Sequence, residues 1–326
     1  MVMKNRKNRM WILGLPVAAA AGMSALAYWF FRFAISRKGE TLPGRGDQEK
    51  DAEEKRIWKQ YWQKHVRQKE WLASRPLEEV SVRSEEGYLL KGSYFPCADA
   101  ERIVLCAHGY RGNPIEDFSA IAGWLHEHGS DLLLIDQRAT NRSEGNFITF
   151  GAKEKTDVKR WCDWLEKRNG KQLPVYLYGV SMGASTVLLA SGLELPDGVK
   201  GIIADCGYSS IRSTFEDRVR ESFHLFPYPL MYFMEYWCRK IAGFTLEEGD
   251  VGRALETNTL PVLFLHGEED HFVKPENTLR NFEACTADKK LVIVPGASHL
   301  ISSIVNPNLY TENLKEFFER CEGKTN

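Results

Sequence analysis

A serine with the surroundings of an enzymatic nucleophile lies near the middle of the chain. The pattern is G-x-S-x-G, and its residues are Gly179-Val180-Ser181-Met182-Gly183. An apolar run over 175–180 predicts a buried strand before Ser181, and the segment 183–192 predicts a helix after it. In that context the glycines relieve crowding and the turn exposes the hydroxyl. The following helix directs backbone N–H groups at a developing negative charge.

A serine hydroxyl needs a base within hydrogen-bond reach, and the base needs a third group that orients it. Candidates for both follow later predicted strands. Asp270 comes after the strand predicted over 261–266, and His299 comes after the strand predicted over 290–294. The chain order Ser181, Asp270, His299 therefore predicts a nucleophile, an orienting acid and a base.

Neighbouring residues compete for two of these roles. Glu268 and Glu269 stand beside the candidate acid, so the choice among the three carboxylates stays open on the residues alone. His271 follows the acid directly and would point elsewhere. His266 and His108 each end a predicted strand before a glycine, which is more typical of a structural histidine.

Strands and helices alternate after residue 76, which predicts an α/β fold with a mostly parallel, doubly wound sheet of about eight strands. The first two strands would pair antiparallel around the turn at 85–87. Strands are predicted at 79–83, 88–95, 102–107, 132–135, 175–180, 199–205, 261–266 and 290–294. Helices are predicted at 115–128, 153–167, 183–192, 276–285 and 308–321.

One connection is far longer than the usual two to six residues. It covers about 207–258 and is rich in large apolar side chains, which predicts an inserted helical cap. Such a cap would favour an apolar acyl or aryl group in the substrate. Its large apolar residues are Phe215, Phe223, Leu225, Phe226, Tyr228, Leu230, Tyr232, Phe233, Tyr236, Trp237 and Phe244.

The first 38 residues carry an uncharged run over 10–31, about the length that crosses a bilayer. Basic residues flank it at Lys4, Arg6, Lys7, Arg9, Arg32, Arg37 and Lys38. A cleaved signal peptide with a site at 25–27 is one interpretation. The run continues through the aromatic residues 28–31, which favours an uncleaved single-pass anchor in the lipid bilayer. The distribution of basic charge favours an extracytoplasmic catalytic domain.

A linker and a charged segment follow over 39–75. Apolar residues recur at three- and four-residue steps within 48–75, which predicts an amphipathic helix on the domain edge or at the bilayer surface. Residues 76–326 would then form the main domain, with the cap inserted.

Composition excludes several functions. Lys and Arg number 43 against 44 Asp and Glu, so the balance gives no support for nucleic-acid binding. The seven cysteines form no paired-ligand spacing, and Cys106 and Cys206 read as core thiols. The chain has neither an HExxH motif nor a phosphate-binding glycine loop, so we expect no metal and no cofactor.

Residues 77–321 resemble the α/β-hydrolase superfamily. They are similar to its bacterial branch with an N-terminal membrane anchor, which includes serine hydrolases and esterases near the cinnamoyl-esterase and serine-aminopeptidase groups. Besides the serine motif, the shared blocks are Ala107-His108-Gly109-Tyr110-Arg111-Gly112-Asn113, Asp136-Gln137-Arg138-Ala139, Arg142-Ser143-Glu144-Gly145, His266-Gly267-Glu268-Glu269-Asp270 and Gly296-Ala297-Ser298-His299.

The resemblance implies roles. Ser181 would be the nucleophile, His299 the general base and then acid, and Asp270 the orienting carboxylate. The backbone N–H groups of Tyr110 and Met182 would form the oxyanion hole. One block departs from the pattern: many relatives carry His-Gly after the Asp-x-Arg-Ala sequence, where this chain has residues 140–141, Thr-Asn.

The expected function is hydrolysis of a carboxylic ester through an acyl-enzyme on Ser181. A serine peptidase of the aminopeptidase kind is an alternative, and it would need an acidic residue such as Glu216 or Asp217 near the pocket to bind a free amino terminus. An acyltransferase with the same triad, or a catalytically silent binding protein, would also fit this fold.

Overall fold

The computed structural model describes residues 4–39, 48–170 and 172–324, and within 4–17 and 48–55 it describes the backbone alone. Its sheet has eight strands in the order β1-β2-β4-β3-β5-β6-β7-β8. They are β1 Glu78–Arg83, β2 Leu89–Phe95, β3 Arg102–Ala107, β4 Ser130–Ile135, β5 Val175–Val180, β6 Val199–Asp205, β7 Val262–Gly267 and β8 Lys289–Val294. β1 pairs antiparallel with β2, and β2 with β4, while the other pairs are parallel. The predicted α/β sheet is confirmed.

The helices follow the predicted order. They are α1 Lys4–Ala34, α2 Gln48–Ala73, α3 Pro114–Glu127, α4 Glu154–Arg168, α5 Met182–Ala190, α6 Ile211–Phe223, α7 Leu230–Trp237, α8 Val251–Glu256, α9 Pro275–Ala284, α10 Ser302–Val305 and α11 Pro307–Cys321. A π-helical turn, Cys238–Ala242, and a 3-10 turn, Leu246–Gly249, lie between α7 and α8.

The central strands are largely apolar because helices cover both faces of the sheet. Every residue of β3 and β5 is buried. On one face, Trp161 of α4 and Leu188 of α5 belong to the core. On the other face, Phe118 of α3 and Phe317 of α11 fill the same role. These two layers hold the carboxyl ends of the parallel strands at one edge of the sheet, where the candidate residues lie.

The segment between β6 and β7 forms helices α6, α7 and α8. Helices α6 and α7 form a cap over the site, and their inner side chains make a third apolar cluster, which includes Phe215 of α6 and Met231 of α7. Val251 and Leu255 of α8 belong instead to the core beside α5. Phe31 and Ile35, at the end of the first helix and just beyond it, belong to the same cluster and are fully buried. The N-terminal segment therefore packs against the cap.

The structure does not support the expectation of a membrane-spanning helix over residues 10–31. No helix within the part of the chain that the structure describes is long and apolar enough to cross a membrane. Apolar side chains in the second half of that run contact protein instead: Ala27, Phe30 and Phe31 are all buried against the cap. An apolar run suits either environment, so its composition alone does not distinguish a membrane from a protein partner.

The amphipathic segment forms helix α2, which packs on α3 and α10 at the domain edge. Its Leu72 is fully buried beside the α3 core, and Ile57 contacts Ile301 and Ile304. Most of the linker expected from residue 39 falls on 40–47, which lie outside the described residues.

Candidate active site

The Ser181 turn has a backbone conformation that only its neighbouring glycines permit. Ser181 stands between β5 and α5 with φ 53° and ψ −121°. A Cβ atom on Gly179 would lie 2.1 Å from the carbonyl oxygen of Gly183, and a Cβ on Gly183 would lie 1.9 Å from that of Ala107. No real side chain fits such distances. A non-glycine residue at positive φ stores strain that the surrounding structure must hold, and such strain is typical of functional turns.

Ser181, His299 and Asp270 form one chain of hydrogen bonds. The Ser181 Oγ lies 2.9 Å from His299 Nε2, and His299 Nδ1 lies 2.6 Å from the Asp270 Oδ2. Since a carboxylate only accepts, Nδ1 carries the proton and donates it. Nε2 is then the acceptor for the Ser181 hydroxyl, which is the tautomer a general base needs.

The Asp270 carboxylate is buried but well supplied with donors. Its Oδ1 accepts from the backbone N–H groups of Phe272 and Val273, each at 2.9 Å. Its Oδ2 also lies 3.2 Å from His266 Nε2. Burial alone would raise the pKa of Asp270, but His299 and His266 beside it hold that pKa well below its usual range. Asp270 is therefore ionised whenever the imidazole needs orienting.

The competing carboxylates lie elsewhere. Glu269 faces His271 at 3.6 Å, and the Glu268 carboxylate accepts from the Gly296 N–H at 3.3 Å. The hydrogen bond from His299 Nδ1 goes to Asp270 Oδ2 and not to either of these carboxylates. The structure therefore brings Asp270 to the imidazole and directs His271 away from it.

His108 is fully buried and holds a loop. Its Nε2 accepts from the Gln137 N–H at 3.1 Å, so its Nδ1 carries the proton and donates to the Gly109 carbonyl at 2.7 Å. Burial lowers the pKa of His108 to about 4, so the ring is neutral near pH 7. Thr140 Oγ1 lies 3.1 Å from the same Nε2, and Asn141 donates to the Gly112 carbonyl at 2.9 Å. The departure from His-Gly thus places two polar side chains against the loop.

Gly109 brings the predicted oxyanion loop against the nucleophile. A Cβ atom on Gly109 would lie 3.3 Å from the Ser181 Cβ. Tyr110 follows it directly and lines the same cavity as Ser181. Met182 is the first residue of α5, so its N–H has no acceptor inside that helix. These positions suit the two predicted oxyanion donors.

Asp117, in the first turn of α3, holds this loop in position through a hydrogen bond. Its carboxylate accepts from the Gly109 N–H at 2.7 Å. Burial raises the pKa of Asp117 to about 6, although the Gly109 N–H opposes part of that rise. Sequence reasoning missed this residue, because an acid in a first helical turn is common and carries no specific signal.

A largely apolar cavity opens at Ser181. The empty space inside it and at its open mouth together amounts to about 960 Å³. The Ser181 turn, the Tyr110 loop, the cap and α1 each contribute to its wall. The lining residues are Phe30, Ala34, Tyr110, Phe150, Ser181, Met182, Tyr208, Thr214, Phe215, Arg218, Val219, Ser222, Phe223, Met234, Phe272 and Val273.

One cluster near the site has the donor types of a metal centre. Cys206 Sγ, an Asp270 oxygen and a His299 nitrogen all lie within 4.8 Å of one another. Burial raises the pKa of the Cys206 thiol well above its ordinary value. The nearby Asp205 and Asp270 carboxylates raise this pKa further. A protonated thiol is a poor ligand, and the Asp270–His299 hydrogen bond already uses the other two groups. This arrangement favours the serine chemistry over metal binding.

Comparison with known proteins supports this architecture. A family model described as "Serine aminopeptidase, S33" matches residues 98–231. The uncharacterized protein YqkD of Bacillus subtilis is 25% identical over 244 residues, covering 75% of this chain and 80% of that protein.

Two solved structures show the fold. The Pyrococcus furiosus esterase Pf2001 is 22% identical with a TM-score of 0.61, over 76% of this chain and 93% of that one. The Pyrococcus horikoshii acylaminoacyl peptidase is 15% identical with a TM-score of 0.55, over 76% of this chain and 41% of that one. The protein thus has the α/β-hydrolase fold, as the sequence predicted.

Proposed function

We propose that the protein is a serine hydrolase that cleaves carboxylic esters through an acyl-enzyme on Ser181. The observation that carries the proposal is the continuous chain from the Ser181 hydroxyl through His299 to Asp270. The strained turn places Ser181 in the wall of the apolar cavity, which offers a place for the acyl or aryl group.

The side chains and backbone groups of the site can carry out both the acylation and the deacylation step. Ser181 Oγ attacks the ester carbonyl carbon while its proton moves to His299 Nε2. The oxyanion of the tetrahedral intermediate accepts from the N–H groups of Met182 and Tyr110. Collapse breaks the bond to the alcohol, which leaves with the proton from His299. Water then attacks the acyl-enzyme by the same route and releases the acid.

The cavity wall favours an ester over a peptide with a free amino terminus. A protonated amine needs a carboxylate partner, and no Asp or Glu is among the cavity-lining residues in the described ranges. Of the two candidates, Glu216 accepts from the Tyr228 hydroxyl at 2.7 Å, and Asp217 lies 3.7 Å from Arg220. The charged group on the wall is Arg218, which would repel an amine.

The test is a substrate panel with the full chain. It contains p-nitrophenyl esters of increasing acyl length, amino-acid p-nitroanilides, and an ester supplied with a competing alcohol. We expect ester hydrolysis in the wild type and its loss in Ser181→Ala. Ser191→Ala, which removes a hydroxyl from the far end of helix α5, is the matched control. Ester turnover that survives in Ser181→Ala would overturn the proposal. If the anilides are cleaved faster than the esters, the proposed function becomes that of a peptidase. If the acyl group goes to the alcohol faster than to water, the proposed function becomes that of an acyltransferase.

A further inference from the structure

The carboxyl end of α1 is fastened to the predicted oxyanion loop. The Tyr110 hydroxyl donates to the Ala34 carbonyl at 2.7 Å. The Arg111 guanidinium donates to the carbonyls of Ser36 at 2.7 Å and Phe33 at 3.2 Å. A cation at this end of a helix satisfies carbonyls that have no partner inside the helix and complements the helix dipole. Helix α1 therefore ends against the loop after β3, which lies beside Ser181.

A second set of bonds holds the next residues to the main domain. The Arg37 guanidinium donates to the carbonyls of Ser143 at 2.5 Å and Asn141 at 2.9 Å. Backbone bonds of 2.8 Å join Ile148 N–H to the Ile35 carbonyl and Arg37 N–H to the Asn146 carbonyl. Residues 34–37 are thus integrated into the catalytic domain.

This anchoring turns one face of α1 into cavity wall. Phe30 and Ala34 lie one helical turn apart and both line the cavity that contains Ser181. The Phe30 ring stands edge-on to Phe223 of α6, with 4.5 Å between the ring centroids. The small Ala34 side chain leaves room at a position where a larger one would project into the cavity.

We propose that Phe30 and Ala34 of α1 determine the length and bulk of the apolar group that the Ser181 site accepts. This inference rests on the proposed ester hydrolysis for its kinetic form. The ligand class is an unbranched or aryl acyl group without charge, because the wall that α1 contributes is a phenyl ring and a methyl group. A larger residue at Ala34 shortens the acceptable chain, and a smaller one at Phe30 lengthens it.

The kinetic test compares kcat/KM for p-nitrophenyl acetate with that for the dodecanoate. Ala34→Trp lowers the dodecanoate-to-acetate ratio about tenfold or more, because each excluded methylene is worth about 0.8 kcal/mol. The loss falls mainly on KM. Phe30→Ala shifts the optimum to longer chains. Ala25→Trp, the same change at an exposed position of the same helix, is the control and leaves the ratio unchanged. Equal ratios in Ala34→Trp and wild type overturn the inference.

A binding measurement separates this inference from the proposed function. In the Ser181→Ala background, the uncharged apolar fluorescent probe N-phenyl-1-naphthylamine is titrated into proteins with and without Ala34→Trp, and circular dichroism establishes that each is folded. We expect at least tenfold weaker binding with tryptophan. Weakened binding without any ester turnover in the wild type would sustain the role of α1 and defeat the hydrolase. Unchanged binding would defeat the role of α1, whatever the turnover. A wild-type chain that neither binds nor hydrolyses would defeat both.

Discussion

Gly183 lies so close to Ala107 that a Cβ atom on it would stand 1.9 Å from the Ala107 carbonyl oxygen. The start of α5 is therefore pressed against the end of β3. This contact places the Ser181 turn beside Gly109, at the point where the predicted oxyanion loop leaves β3. The second glycine of the motif is therefore required by the packing of α5 against β3, a strand that ends at Ala107, far earlier in the chain, and not by the local turn alone.

Gly183→Ala should disrupt both folding and the site. The added methyl group meets backbone atoms that cannot rotate away. We therefore expect the unfolding free energy to fall by about 1–3 kcal/mol. Gly198→Ala is the control, because nothing lies within 4 Å of a Cβ there. Urea denaturation of both variants measures the difference. Equal midpoints would contradict the close approach.

Tyr110→Pro should remove an oxyanion donor. Loss of one such N–H typically lowers kcat by about 10²–10³. Tyr110→Ala loses the same ring and hydroxyl but keeps the N–H, so it isolates the donor. We expect kcat for a short ester to be about a hundredfold lower in the proline variant than in the alanine variant. Equal kcat values in the two folded variants would remove Tyr110 from the oxyanion hole.

Asp117→Asn should change how stability depends on pH. The folded pKa of Asp117, about 6, lies above the unfolded value near 3.9, so the folded state binds the proton more tightly. The wild type therefore loses stability as pH rises from about 4 to 6, by up to about 3 kcal/mol. We expect the unfolding free energy of Asp117→Asn, relative to wild type, to increase between pH 4 and pH 7. Asp197→Asn, which makes the same change at an exposed position, is the matched control. A relative stability of Asp117→Asn that is equal at both pH values would contradict the raised pKa.

Arg111→Ala should loosen α1. The guanidinium donates to carbonyls of Phe33, Ser36 and Arg37, and hydrogen bonds from charged groups contribute about 1.5–3 kcal/mol each. We expect a loss of at least about 2 kcal/mol in unfolding free energy, with faster proteolysis within α1. Arg253→Ala is the control, since that side chain is 66% exposed and should cost under about 0.5 kcal/mol. Proteolysis of α1 at the wild-type rate would contradict its attachment through Arg111.

The sheet was predictable because its strands are short apolar runs bounded by turns. The predicted limits of β3, β5 and β6 agree with the structure, and those of the other strands differ by one or two residues. The positions of Asp270 and His299 were predictable for a related reason: each follows a parallel strand, and the carboxyl ends of such strands meet at one edge of the sheet.

The contribution of α1 was not predictable from local pattern. Its attachment depends on Arg111 meeting the carbonyls of residues 33–37, a pairing between segments far apart in the chain. The apolar run over 10–31 has no polar periodicity that would reveal a protein partner. Which of its side chains contact protein depends on the position of the cap, and the sequence of the run does not show that position. The extracytoplasmic location stays a prediction.

The most direct measurement treats the full chain with a fluorophosphonate and records intact mass. The phosphorus atom bonds to an activated serine oxygen and fluoride leaves. We predict one adduct on the wild type, none on Ser181→Ala, and much slower labelling of His299→Ala, since the base is then absent. Equal labelling of wild type and Ser181→Ala, or no adduct on folded wild type, would contradict an activated Ser181.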